Sequence, residues 1–173
     1  KPGDVISVLL PGPVKEYEII AENIPINIVY EDDDIIVINK DAGMVVHPGH
    51  GNYTGTLINA LAFYFQDNPD VLPALIHRID KDTSGILLVG KNELAQTILA
   101  KQFFEHSVNR KYFALVWGDM KMDAGTIEGS IGRNQTDRLQ MTVYPDNSQG
   151  KPAITHYKVI ERFGYVTLVE CTL

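Results

Sequence analysis

The residues best suited to chemistry lie in one stretch, His77-Arg78-Ile79-Asp80-Lys81-Asp82-Thr83-Ser84-Gly85, which runs directly into the apolar segment Ile86-Leu87-Leu88-Val89-Gly90. Eight of those nine residues are polar, charged or glycine. A buried strand needs no such prefix to fold, so the charges at its mouth must stay hydrated, pair, or meet a ligand. Asp80 follows Arg78 by two positions and immediately precedes Lys81. Neighbouring cations favour the carboxylate form and lower its pKa, which predicts an ionised nucleophile or base at neutral pH and not a general acid. Thr83, Ser84 and Gly85 add hydroxyls and a permissive backbone that can fold back over the loop. The plainer alternative is a charged turn whose aspartate caps a backbone amide.

Three further groups of side chains carry chemical potential. Lys40 and His47 flank the glycine turn Asp41-Ala42-Gly43 at a strand end. A solvated turn lysine is expected for Lys40, and a structural role for His47, which Pro48 pushes towards extended geometry. Tyr112 offers a rigid aromatic face that can stack on a base while its hydroxyl stays available, or it is simply a core tyrosine. Arg133 and Arg138, five positions apart on a hairpin-like excursion, suit phosphates or the space left by a displaced base, against the alternative of a solvated charged hairpin. The histidines at positions 47, 50, 77, 106 and 156 show no metal-ligand spacing, so no zinc is expected. Neither a phosphate loop nor a dinucleotide fingerprint occurs, which leaves the chemistry to side chains alone.

The elements that must hold these groups follow from pattern. A short strand (26–30), an acidic turn (Glu31–Asp34) and a buried strand (35–38) precede the Lys40 turn. Gly49–Thr54 reads as a flexible loop, and Thr54 is expected to cap a helix with the apolar stripe Leu57, Ala60, Leu61 and Tyr64. Asn92 is expected to cap a second helix over 93–105. Strands are expected at 112–118, 126–131, 139–144, 154–161 and 165–173, the last two joined at Arg162-Phe163-Gly164. Strands outnumber helices and adjoin through short turns, which predicts an α+β domain with a largely antiparallel, mixed sheet flanked by helices and loops.

The 173 residues suffice for one domain with a real core. No run of eighteen apolar residues exists and residues 1–15 lack the order of a signal peptide, so no membrane partner is expected. The single cysteine, Cys171, excludes an internal disulfide and suits a reducing compartment, the cytoplasm. A net charge of −7 argues at first against nucleic acid, but the acid is concentrated early: residues 1–75 carry −8, 76–112 carry +2 and 113–173 carry −1.

The stretch from His77 to Val89 resembles the signature of the RluA/RluD-type family of pseudouridine synthases, with Ile79 where that signature usually has Leu. The likeness is collinear over nearly the whole chain from about Pro25. It includes Lys40-Asp41-Ala42-Gly43 with Val45-Val46-His47-Pro48, then Tyr112-Phe113-Ala114-Leu115-Val116-Trp117-Gly118, and an arginine-bearing loop before Met141-Thr142-Val143 and Gly150-Lys151-Pro152-Ala153-Ile154-Thr155. The resemblance implies a pseudouridine synthase fold, with residues 23–173 forming the catalytic domain. It implies that Asp80 is the catalytic aspartate, that Tyr112 lies against the target base, and that His77, Arg78, Arg133, Arg138 and Lys151 contact RNA. It further implies a flipped-out uridine of large-subunit (23S) ribosomal RNA as substrate, no cofactor or metal, and a monomer. Residues 1–22 resemble the end of an S4-type RNA-binding module and its linker. The family's Thr-Gly-Arg-x-His-Gln-Ile-Arg motif, whose arginine pairs with the aspartate, is absent, which predicts a domain truncated at its C-terminal end. An RNA-binding module without activity, a glycosidase using Asp80 with a second carboxylate, and a purely structural domain are the alternatives.

Overall fold

The computed structural model describes residues 19–173 except His50, Pro69, Leu72 and Asn147. Most of the segment that resembles the end of an S4-type module, residues 1–22, lies outside the described residues. Length predicts one domain, but the strands sort into two separate sheets, and the chain divides into two compact units, Lys1–Glu105 and His106–Leu173. Every strand pairing recorded among the described residues is antiparallel, so the sheet-rich α+β expectation holds without a parallel component.

In the first unit the sheet order is β1 (Asn27–Glu31), β2 (Ile35–Lys40), β4 (Gly85–Gly90) and β3 (Ala74–Leu75). Successive side chains of a strand face opposite ways. In β2 that alternation buries Ile36, Ile38 and Lys40. Across the ladder Ile36 faces Val89, Ile38 faces Leu87 and Lys40 faces Gly85. With Leu57 and Leu61 of helix α1 (Leu57–Tyr64), these residues are fully or almost fully removed from solvent and make the core of this unit. The register places Asp80 and its neighbours just before β4.

The first helix begins two residues later than Thr54 predicts. Gly55 takes φ +70, a left-handed conformation that breaks the chain direction, and Thr56 becomes the cap. The Thr56 amide donates to Asn59 Oδ1 at 3.0 Å. The buried Asn59 side chain in turn donates to the Ile20 carbonyl at 2.8 Å, strapping the incoming segment to the helix. Tyr64, expected in the apolar stripe, is exposed and donates its hydroxyl to Glu31 at 2.8 Å. Helix α2 (Glu93–Phe104) is capped as expected: Asn92 Oδ1 accepts from the Ala95 amide at 2.9 Å.

Lys91 reaches back to Glu31 at 2.8 Å, closing the turn between β1 and β2. Burial alone would raise the Glu31 carboxyl, but hydrogen bonds from Lys91 and Tyr64 outweigh it and hold the group below its ordinary value. Asp32 is also held low, first by the Ile35 amide, then by the Tyr30 hydroxyl and the Asp34 amide. Both carboxylates bind protons more weakly folded than unfolded. Their stabilising contribution is complete above the ordinary carboxylate range and is lost as pH falls through the depressed values. Denaturant midpoints should therefore drop between about pH 5 and about pH 3. Lys91→Met, which removes a principal partner of Glu31, should flatten that drop.

The second unit is one sheet in the order β5 (Lys111–Trp117), β9 (Val166–Thr172), β8 (Lys151–Arg162), β6 (Ala124–Arg133) and β7 (Met141–Tyr144). Its strands run further than pattern predicts at β6 and β8, because ladder pairing carries past the apolar residues to Arg133 and back to Lys151. Val169 and Thr167 are buried, and Thr167 donates its hydroxyl to the Gly118 carbonyl at 2.7 Å.

Candidate active site

Asp80 lies in the irregular segment between β3 and β4. Ile79 is buried, while Arg78 and Asp80 on either side of it are exposed. One apolar side chain thus pins the loop and leaves the two charged neighbours in solvent. The Thr83 amide donates to the Asp80 carbonyl at 3.1 Å and closes the turn behind it. Among the described residues the Asp80 carboxylate has no ion pair and no side-chain hydrogen bond, so it does not serve as the amide cap of the plainer sequence reading. Gly85, where this loop enters β4, has φ +123, a conformation for which a glycine is needed.

Lys40 corrects the sequence reading most sharply. It is not a solvated turn residue: 1% of it is exposed. Its ammonium donates to three main-chain carbonyls, of Asp41 at 2.8 Å, Met44 at 2.9 Å and Lys81 at 3.0 Å. The Gly43 amide donates to the same Lys81 carbonyl at 2.8 Å. The residue directly after Asp80 is therefore anchored twice to the 40–44 turn. Burial lowers the Lys40 pKa, and the carboxylates of Asp82, Asp41 and Asp80 pull it back up. A cation fixed beneath the loop thus lies within electrostatic reach of Asp80. Period-two alternation with Ile36 and Ile38 is the signal that places it inward.

The His77 ring is committed to the fold on two counts. Its Nε2 accepts from the Leu88 amide at 3.1 Å, and its face stacks on Phe103 with centroids 4.4 Å apart. Phe103, on α2, escaped the sequence reading because the contact spans the whole β4–α2 connection. His77 and Arg78 nevertheless line an open cleft of about 540 Å³ together with His47 and Pro48. The loop carrying His47 is fixed by the amides of Leu57 and Ile58, which donate to the Val45 and Val46 carbonyls at 2.9 and 3.2 Å.

The second unit holds the remaining candidates. Tyr112 is the second residue of β5, half-buried and opposite Cys171 of β9. Arg133 and Arg138 come together at the β6–β7 hairpin. The Arg133 guanidinium donates to the Arg138 carbonyl at 3.2 Å and the Leu139 carbonyl at 3.4 Å. Both arginines line a hollow of about 370 Å³ with Gln149 and Gly150. Gly150 is required there: it has φ +86, and a Cβ would stand 2.6 Å from the Ile131 backbone. Lys151 is exposed at the start of β8, paired opposite Ile131, and does not line the hollow. Among the described residues no group of three His, Cys, Asp or Glu side chains is arranged to hold a metal ion, and no helix is long and apolar enough to cross a membrane.

The chain is similar to known proteins over most of its length. The family model described as RNA pseudouridylate synthase matches residues 34–173. An uncharacterised RNA pseudouridine synthase of Bacillus subtilis, YlyB, is 47% identical over all of this chain and 57% of its own length. The ribosomal large subunit pseudouridine synthase D of Nitrosomonas europaea is 44% identical over 99% of this chain and 49% of its own length. Among solved structures, human RNA pseudouridylate synthase domain containing 1 superposes with a TM-score of 0.69 at 29% identity, covering 86% of this chain and 59% of that one. The chain thus spans about half the length of the curated relatives it matches. The family match runs from the acidic turn before β2, through the Lys40 turn and the Asp80 loop, to the last residue, and on that ground this chain belongs to the RNA pseudouridylate synthase family.

Proposed function

We propose that the protein isomerises uridine to pseudouridine in large-subunit ribosomal RNA, with Asp80 as the catalytic carboxylate. The observation that carries this reading is the exposed carboxylate of Asp80, which has no hydrogen bond or ion pair among the described residues, on a loop whose next residue is anchored twice from below. In the reaction the bond from the ribose C1′ to N1 of uracil breaks and a bond from C1′ to C5 forms. The proton leaves C5 and N1 gains one, so nothing is oxidised or reduced and no cofactor is called for. Asp80 acts on the sugar or on the base as nucleophile, or takes a proton from the sugar. All three routes make the same demand: an open, ionised carboxylate that an extruded nucleotide can reach. Carboxylate attack at a sugar carbon is familiar from glycoside cleavage.

Tyr112 would stack on the extruded base. Arg78, Arg133, Arg138 and Lys151 would meet phosphates, and His77 would hold the cleft wall beside Arg78. The reading takes the protein to be a cytoplasmic monomer whose residues 23–173 form the catalytic domain and whose residues 1–22 end an S4-type module.

Mass-spectrometric mapping of pseudouridine in ribosomal RNA from cells lacking the gene tests the reading. At least one large-subunit pseudouridine should disappear and return when the gene is restored. An unchanged map rules out the ribosomal substrate, and RNA binding without isomerisation by the intact protein would leave a binding module in its place.

A further inference from the structure

We propose that the cleft lined by Val45, His47, Pro48 and residues 75–78 is a second nucleotide pocket, which takes the base neighbouring, along the RNA strand, the uridine held at Asp80; this rests on the RNA reading above. The cleft's volume, about 540 Å³, falls within the range of pockets that enclose small organic ligands. Its walls have the composition a nucleotide requires. Val45, Pro48, Leu75 and Ile76 give an apolar lining for a flat ring. The His77 ring is already fixed between the Leu88 amide and Phe103, so packing a base beside it costs no further ordering of that side chain.

The polar groups at the mouth point to the same class of ligand. His47 Nδ1 lies 3.0 Å from the Pro48 carbonyl. A carbonyl only accepts, so Nδ1 donates in this contact, and Nε2 is the ring atom left to accept from an N–H on a base edge. Arg78 is exposed and has no ion pair among the described residues, which suits a phosphate. An apolar floor, one acceptor and one guanidinium match a base with its phosphate, whereas a purely apolar ligand would leave Arg78 and His47 without a role.

Distance makes the occupant a neighbour of the target. Arg78 and Asp80 are two residues apart, so their Cα atoms are separated by about 7 Å at most. A strand with one nucleotide at Asp80 and its phosphate at Arg78 directs the adjoining base into the cleft. The pocket would thus read the nucleotide beside the reacting one.

The probe is the trinucleotide UpUpU, titrated into the full protein and followed by methyl and imidazole NMR. The methyl signals of Val45, Leu75 and Ile76 and the His47 ring should shift saturably. Val45→Trp fills the cleft but keeps the main-chain bond from the Leu57 amide to residue 45, and should weaken binding about tenfold. His47→Ala, which removes one acceptor without crowding, should weaken it about threefold and guards against misfolding of the larger substitution. Cleft signals that stay still while others move, no shifts at all, or unchanged affinity in both variants would each overturn the pocket. Failure of the enzymatic reading is registered separately: shifts at the cleft in a protein that forms no pseudouridine would leave the pocket standing and remove the reaction.

Discussion

Asp80→Asn should lower pseudouridine formation by about 10³-fold or more while leaving the protein as stable as before. The substitution keeps shape and removes the negative charge, so the residue can neither attack a carbon nor take a proton. Stability should stay within about 0.5 kcal/mol because the side chain is exposed and engages no partner among the described residues. Binding of substrate RNA should persist, since a carboxylate beside phosphates repels them and its removal does not weaken their contacts. Single-turnover release of tritium from C5-labelled uridine in ribosomal RNA measures the first effect, and a denaturation curve the second. Residual activity within tenfold of the parent protein would dismiss Asp80 as the reacting group.

Lys40→Met should have the opposite profile, with stability and activity falling together. Met has nearly the same volume, so packing is conserved, but the carbonyls of Asp41, Met44 and Lys81 lose the ammonium that they share. An acceptor left unsatisfied away from water costs about 1–3 kcal/mol, and these three bonds are part-buried, so water replaces the ammonium in part. A loss of about 1–3 kcal/mol is expected, because the Gly43 amide still serves only the Lys81 carbonyl. Activity should fall by about 100-fold in the fraction that remains folded, since a small displacement of a reacting group is enough for that. A denaturant midpoint and kcat/KM below the melting range measure the two effects. A Lys40→Met protein of parental stability would mean that the three bonds contribute little, and normal turnover would mean that the 40–44 turn does not position Asp80.

These outcomes turn on how much of the site sequence pattern reveals. The Asp80 loop was legible because its polarity changes abruptly at the mouth of β4, a purely local signal. Asn92 was legible for the same reason: a cap acts within its own turn. Lys40 was misread because charge was given more weight than phase. It sits at the inward position after Ile36 and Ile38, and the carbonyls that satisfy it come from a turn and from a loop far along the chain. Thr54 was misread as the cap because a threonine two residues before the apolar run carries the same local signal; the left-handed Gly55 moves the cap to Thr56. The stack of His77 on Phe103 has no local trace, so no reading of His77 alone could tell a wall of the cleft from a solvated RNA contact. At the β6–β7 hairpin the two arginines were visible, but not that Arg133 turns back on its own hairpin to the carbonyls of Arg138 and Leu139.

The three carbonyls around Lys40 have one more effect. A surface lysine swings among rotamers within nanoseconds, and its influence on nearby groups fluctuates with it. With all three N–H donors engaged, the Lys40 charge is as stationary as the backbone that holds it. The field it casts towards Asp80 then has its origin set when the chain folds, and dissolved ions, which reach the exposed Asp80 end, change its strength but not where it comes from.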